Sequence, residues 1–191
     1  MLEDKDFLDF CHGKNLGEGI EGYSNITDMQ NYLLLLYSFV IATQNCQILE
    51  IGTHDGTSTL AFLKGASRID GLVRSIDIDP CKPAHILIEK YGMQQWWRFF
   101  HNDSKQIFDI MKAEVGQKFN ILLVDGDHTK TGALFDLKNY SQLVVDSGLI
   151  LLHDTSMEDV KQALAEFIKE TNYNNVTLPF PCSMTILRRI Y

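Results

Sequence analysis

The chain has 191 residues, and 25 Asp and Glu against 17 Lys and Arg give it a net charge of −8. An acidic balance argues against nucleic acid or an anionic membrane as partner, because both repel such a surface. Hydrophobic residues at 45% and charged residues at 22% fit a globular domain and exclude collagen, coiled coil and disordered tail.

The opening MLEDKDFLDF is acidic and lacks a positive segment, so no signal peptide and a cytoplasmic location are expected. Cys11, Cys46, Cys81 and Cys182 stand far apart without a C-x-x-C pair, which predicts reduced thiols and no zinc site. Asn25-Ile26-Thr27 and Asn175-Val176-Thr177 match the glycosylation pattern and, with no secretory signal, are read as chance matches. Residues 1–24 are polar and Gly-containing and read as an irregular lead-in. Thr27 with Gln30 forms a capping box, and Met29, Leu33, Leu36, Phe39 and Val40 follow at helical spacing. The apolar run from Tyr32 to Ala42 is about half of the ~20 residues a membrane-spanning helix needs, and reads as a buried helix.

Strands and helices then alternate. Strands are predicted at Cys46–Ile51, Gly71–Ile76, Trp96–Phe100, Phe119–Val124 and Leu149–Leu152, and helices at Thr57–Lys64, Pro83–Tyr91, Ser104–Val115 and Gly132–Val144. Ser156 and Asp159 form a capping box ahead of a helix whose apolar face is Val160, Ala163, Leu164, Phe167 and Ile168. Two last strands, Val176–Leu178 and Met184–Ile190, are joined by a link too short for a parallel crossover. The expected fold is α/β: a Rossmann-like, doubly wound, mostly parallel seven-stranded sheet with a C-terminal antiparallel strand and helices on both faces. One domain is expected over 1–191, with 1–27 as lead-in and 28–191 as core.

In such a sheet ligands bind beyond the carboxyl ends of the strands. Those ends read Glu50-Ile51-Gly52-Thr53-His54-Asp55-Gly56, Asp77-Ile78-Asp79-Pro80, His101-Asn102-Asp103-Ser104, Asp125-Gly126-Asp127-His128 and His153-Asp154-Thr155. Helix capping accounts for Asp103, Ser104 and Thr155 but not for the doubled acids or the histidines. Gly52 and Gly56 bracket a turn that lets a ligand reach the backbone and a helix N-terminus. Asp77, about 25 residues later, can accept hydrogen bonds from both hydroxyls of a ribose, while Asp79 before Pro80 reads as a turn residue. Together these point to a nucleoside-containing ligand.

The segments ILEIGTHDGTSTLAF, VRSIDIDP, HNDS, FNILLVDGDH and GLILLHDTS, in that order, resemble the class I S-adenosylmethionine-dependent methyltransferases. The chain is most similar to small O-methyltransferases of the catechol and caffeoyl-CoA type and the bacterial sugar and macrolide type. The resemblance runs from about Asp28 to the C-terminus. It implies S-adenosyl-L-methionine as cofactor, with Glu50, Gly52, Thr53, Gly56 and Ser58 beside its methionine part. It also implies His54 near the sulfonium, Asp77 on the ribose, Asp103 and Ser104 beside the adenine, and Asp125 on the cofactor side. Asp125 and Asp154 match two metal-binding acids of the cation-dependent members, which suits Mg²⁺. The sequence departs from that pattern at Thr155, where relatives carry Asn or Asp. Either Asp127, His128 or His153 supplies a third ligand, or no metal binds. His128 falls where metal-dependent relatives carry a lysine base, so it is the expected catalytic base.

The expected reaction is methylation of a small-molecule or sugar hydroxyl, with or without a metal. No nucleic acid or membrane takes part, and a homodimer through the N-terminal segment or sheet edge is compatible with the sequence. An NAD-linked Rossmann enzyme and a non-catalytic S-adenosylmethionine-binding module are the alternatives. Trp96 and Trp97 read as strand residues filling core and surface. Arg188 and Arg189 read as charges on an edge strand, and His12 and His85 show no evident partner.

Overall fold

The computed structural model describes residues 2–23, 28–114 and 118–190. Seven strands, β1 (Gln47–Ile51), β2 (Leu72–Asp77), β3 (Trp97–His101), β4 (Phe119–Val124), β5 (Val144–Leu152), β6 (Tyr173–Leu178) and β7 (Met184–Arg189), form one sheet in the order β3-β2-β1-β4-β5-β7-β6. The first five are parallel, while β7 runs antiparallel between β5 and β6. The helices are α1 (Asp4–Cys11), α2 (Leu33–Ile41), α3 (Thr57–Ile69), α4 (Lys82–Lys90), α5 (Ser104–Glu114), α6 (Lys130–Tyr140) and α7 (Glu158–Glu170). This is the doubly wound α/β architecture the sequence predicts. No helix of the described residues is long and apolar enough to cross a membrane.

The pleat sends successive side chains to opposite faces, so an all-apolar strand feeds two cores. Ile48, Ile121, Leu123 and Leu151 join the core under α1 to α4. Leu49, Leu122, Val124, Ile150 and Leu152 join the one under α5 to α7. Both cover the sheet, leaving its polar strand ends as the accessible edge.

Several expectations need correction. The lead-in is not irregular throughout, because Phe7 and Phe10 bury one face of α1 against the first core. Helix α6 stops at Tyr140, and β5 begins at Val144 rather than Leu149. The Ser156–Asp159 capping box does not form. The N-cap of α7 is Met157 without a side-chain bond, and the Asp159 carboxylate faces the Lys130 N–H instead. Thr27 and Val115 lie outside the described residues, as does the Asn25 glycosylation pattern, so those expectations carry no structural account. The Gln30 side chain donates to the Phe10 carbonyl. Arg188 and Arg189 do not sit on an edge strand, since β6 covers β7, and Arg189 pairs with Asp146 at 2.7 Å. Trp96 lies in a 3-10 turn before β3, while Trp97 is buried with its Nε1 donating to Ser75. His85 has ring partners, Trp97 and Phe99.

Helix α1 is latched by a buried amine. Lys64 of α3 is 2% exposed, and its Nζ donates to the Leu2 carbonyl and pairs with Asp4 at 2.8 Å. Lys64→Met leaves the buried Leu2 carbonyl without its donor, a loss of about 1–3 kcal/mol. The expected result is a lower Tm and faster proteolysis at the N-terminal segment. An unchanged Tm would mean that Phe7 and Phe10 alone hold α1.

Candidate functional site

Strand order reverses between β1 and β4, and the crevice of a doubly wound sheet opens at such a point. The loop after β1 crosses it on two glycines. Gly52 has φ +95°, and a Cβ there would lie 2.0 Å from the Asp125 carbonyl oxygen, so only glycine lets the β1 and β4 ends approach. Gly56, φ +87°, is the left-handed N-cap of α3. Asp77, at the end of β2, fastens this loop. One carboxylate oxygen accepts from the Thr53 N–H at 2.7 Å and the His54 N–H at 3.0 Å, and the other from the Asp79 N–H at 2.8 Å. Burial works to raise the Asp77 pKa, but the N–H groups of Asp79, His54 and Thr53 outweigh it and hold the group below the usual carboxylate value.

Over these strand ends lies a cleft of about 1090 Å³. Gly52, His54 and Asp77 line it from β1 and β2, and Asp103 and Ser104 from the loop after β3. Asp103 also caps α5, accepting from the Lys105 N–H at 2.8 Å. Ser104 donates to Asp136 of α6, a buried carboxyl whose second oxygen has no partner among the described atoms. Burial pushes Asp136 up to about 7. Lys105 and Asp127 face each other at 3.1 Å and both line the cleft.

At the far end the loops after β4 and β5 meet. His128 Nε2 lies 3.3 Å from Asp125 Oδ1 and 3.2 Å from Asp154 Oδ2. His153 Nδ1 lies 3.1 Å and 3.4 Å from the same two oxygens. Asp154 adopts φ +56°, a left-handed conformation that Asp tolerates, and the turn brings its carboxylate to this cluster. The hydrogen bond to Asp125 raises the His128 pKa above its ordinary value. Burial opposes a charged His153, but Asp125 and Asp154 outweigh it and push it up to about 10. The His153 hydrogen bond keeps Asp154 below the usual carboxylate range. Asp125, His128 and Asp154 each offer an atom within 4.8 Å of the others, a fit for a small cation, and Asp28, His153 and Asp154 form a second such group. Thr155 is not part of either: its hydroxyl donates to the Ser183 carbonyl at 3.1 Å, inside the protein.

Of the predicted residues, Gly52, His54, Asp77, Asp103, Ser104, Asp125, His128 and Asp154 all line this one cleft. Glu50, Thr53, Gly56 and Ser58 stand behind it. Glu50 is fully buried and accepts from Ser58 at 2.7 Å and from Thr59 and Ser75 at 2.6 Å, so it braces the loop from below. Sequence reasoning missed Asp28, Cys81, Lys105 and Asp136. Asp28 and Cys81 belong to no motif; Lys105 directly follows HNDS, and Asp136 is one acid inside a helical pattern, a signal too weak to single out.

A family model described as a methyltransferase domain matches residues 49–155. No curated protein matches the chain. The O-methyltransferase TomG of Streptomyces achromogenes, involved in tomaymycin synthesis and solved with SAM, is 13% identical. Its TM-score is 0.77, with 100% of each chain covered. An O-methyltransferase from Bacillus cereus solved with SAH is 15% identical at TM-score 0.73, covering 98% of this chain and 92% of that one. The SAH-bound methyltransferase PaMTH1 of Podospora anserina is 15% identical at TM-score 0.72, covering 87% and 80%. At these identities the likeness is one of fold.

Burial pushes Glu50 up to about 7 against its three hydroxyl donors. The folded protein then holds more protons than the unfolded chain between pH ~4.5 and ~7, so stability falls as pH rises through that window. Asp136 acts with the same sign. Glu50→Gln removes one titrating group and is expected to flatten the fall by on the order of 3 kcal/mol, read from denaturation midpoints at several pH values. A slope identical to wild type would place Glu50 as ionised throughout.

Proposed function

We propose that this chain, which belongs to the methyltransferase-domain family, transfers a methyl group from S-adenosylmethionine to a hydroxyl of a small molecule. The observation that carries the reading is the Asp77 carboxylate facing the cleft beside the Gly52 turn at the point where strand order reverses. A carboxylate there suits a ribose diol, because an ionised carboxylate is an acceptor only. Asp103 and Ser104 stand where an adenine would lie, and His54 stands over the glycine turn where the methionine part would pass. The cleft carries eight aspartates against Lys82 and Lys105. That balance favours a sulfonium cofactor and disfavours anionic ligands. The neighbours solved with SAM or SAH share this fold and support the same cofactor.

The reaction asks for alignment more than covalent help. The acceptor oxygen attacks the methyl carbon as the carbon–sulfur bond breaks, and that bond's electron pair stays on sulfur to leave S-adenosylhomocysteine. The hydroxyl proton leaves to the Asp125–His128–Asp154 cluster. His128, the most exposed of the three at 40%, is the member nearest an acceptor. A divalent cation held by Asp125 and Asp154 would lower the hydroxyl's pKa and orient it.

Calorimetry on the intact chain is expected to show S-adenosylhomocysteine binding and no NAD binding. Asp77→Ala should weaken the former by at least about tenfold. NAD binding in its place would overturn the reading. With a panel of sugar, polyketide and phenolic acceptors, His128→Ala is expected to lower turnover by ~10²–10⁴-fold. Cofactor binding without turnover on any acceptor would instead favour a binding module.

A further inference from the structure

We infer that Asp136, buried behind the cleft wall, is a positioning residue that sets the polarity of Ser104, so that the Ser104 hydroxyl oxygen accepts from the ligand and selects a 6-aminopurine over a 6-oxopurine. The inference rests on the proposed function for the purine-bearing cofactor.

Asp136 stands in the middle of α6 and is 0% exposed. Burying a carboxyl is costly unless hydrogen bonds offset the lost water. As a brace Asp136 is a poor one. Glu50 and Asp77 use both of their oxygens, whereas Asp136 Oδ2 has no partner among the described atoms. Its Oδ1 accepts from the Ser104 hydroxyl at 2.8 Å, and Ser104 lines the cleft. One turn further along α6, the Tyr140 hydroxyl donates to the Ser104 carbonyl at 2.7 Å. Residues four apart share a helix face. Helix α6 therefore grips Ser104 by its main chain and its side chain together, which holds the hydroxyl in one orientation.

That orientation has a chemical consequence. A serine hydroxyl has one hydrogen to give and two lone pairs to receive with. With the hydrogen committed to Asp136, lone pairs are what remain for the cleft. On the hydrogen-bonding edge of adenine the 6-amino group is the donor and N1 an acceptor. A 6-oxopurine has a carbonyl oxygen where adenine has that amine. Two acceptors would then face each other, and a site built to hydrogen-bond a group rejects the analogue that lacks it. Asp103, beside Ser104, is a second acceptor, and the Lys105 ammonium is held by Asp127 at 3.1 Å.

The polarity also depends on the charge of Asp136. The groups that face it are Asp103 and Lys105 from the start of α5, Asp127 from the loop after β4, and Tyr140 on its own helix. Burial pushes Asp136 up to about 7, so it is mostly ionised at pH ~8 and mostly neutral at pH ~6. The neutral carboxyl can donate to the Ser104 oxygen, and the serine hydrogen then turns to the cleft.

The test measures S-adenosylhomocysteine and S-inosylhomocysteine, its 6-oxo analogue, by calorimetry on the full chain. At pH ~8 the adenosyl ligand is expected to bind at least about tenfold more tightly. Asp136→Ala and Asp136→Leu free the Ser104 hydroxyl, and each should cut that ratio by at least about threefold. Ser104→Ala should cut it as well, and adding Asp136→Leu to Ser104→Ala should change it no further, because Asp136 acts through Ser104. A merely structural role would weaken both ligands together and leave the ratio as it was. Should neither Asp136 variant fold, the wild-type ratio at pH ~6 takes their place and is expected to fall by a similar factor. Equal binding of the two ligands by the wild type overturns the inference and leaves the transferase reading standing. So does a ratio unmoved in the folded Asp136 variants or, in their absence, by the fall in pH, and so does a further fall in the double variant. Binding of neither ligand sinks both.

Discussion

Three backbone N–H groups, those of Thr53, His54 and Asp79, converge on the carboxylate of Asp77. Two of them belong to the loop after β1 and one to the loop after β2, so a single side chain ties neighbouring strand ends into one wall. Ionised carboxylates make stronger hydrogen bonds than neutral acceptors, and the charge is held in place by the donors it organises. The glycine turn can then be open to a ligand without being loose. Glu50 does the corresponding work one layer down, bracing Ser58, Thr59 and Ser75 beneath the same loop.

The other end of the cleft is built on charge compensation. Asp125 and Asp154 lie close enough to share both His128 and His153, and without the two rings their like charges would repel. His153 is the buried partner and His128 the exposed one, so the cluster has a fixed floor and an adjustable roof. Lys105 and Asp127 pair between the loops after β3 and β4 in a similar but more exposed way. The cleft therefore runs from an amide-bound carboxylate at one end to an imidazole-bound pair at the other, with a length of backbone between them that carries no bulky side chain at Gly52.

Most of the sheet was legible from the sequence because strands covered on both faces are short, apolar and bounded by turn residues. Phe119–Val124 has the same limits in both readings. The ends of strands carried the polar residues that line the cleft, and Asp77, Asp125 and Asp154 could be found that way. What escaped were features set by tertiary contact. Helix α1 was hidden because its apolar face is only Phe7 and Phe10 within an acidic stretch, and its anchor is Lys64, distant in sequence. The early start of β5 at Val144 was hidden by Asp146, Ser147 and Gly148, which read as a turn. The capping box at Ser156 failed because the Met157 N–H already bonds to the Asp154 carbonyl, moving the helix start one residue on. The hydrogen bond between Ser58 and Glu50, eight residues apart, is likewise a tertiary contact that the motif does not show.

Thr155, turned inward, has its hydroxyl 2.9 Å from Ser183 and 3.1 Å from Thr185, and Thr185 in turn lies 2.8 Å from Thr177. A chain of hydroxyls thus runs from the edge strand β6 through β7 to the residue beside Asp154. Exchanging the terminal hairpin for that of a relative would replace Thr177, Ser183 and Thr185 but leave Thr155 behind, so the graft would disturb the residue beside Asp154 unless all four hydroxyl positions are matched.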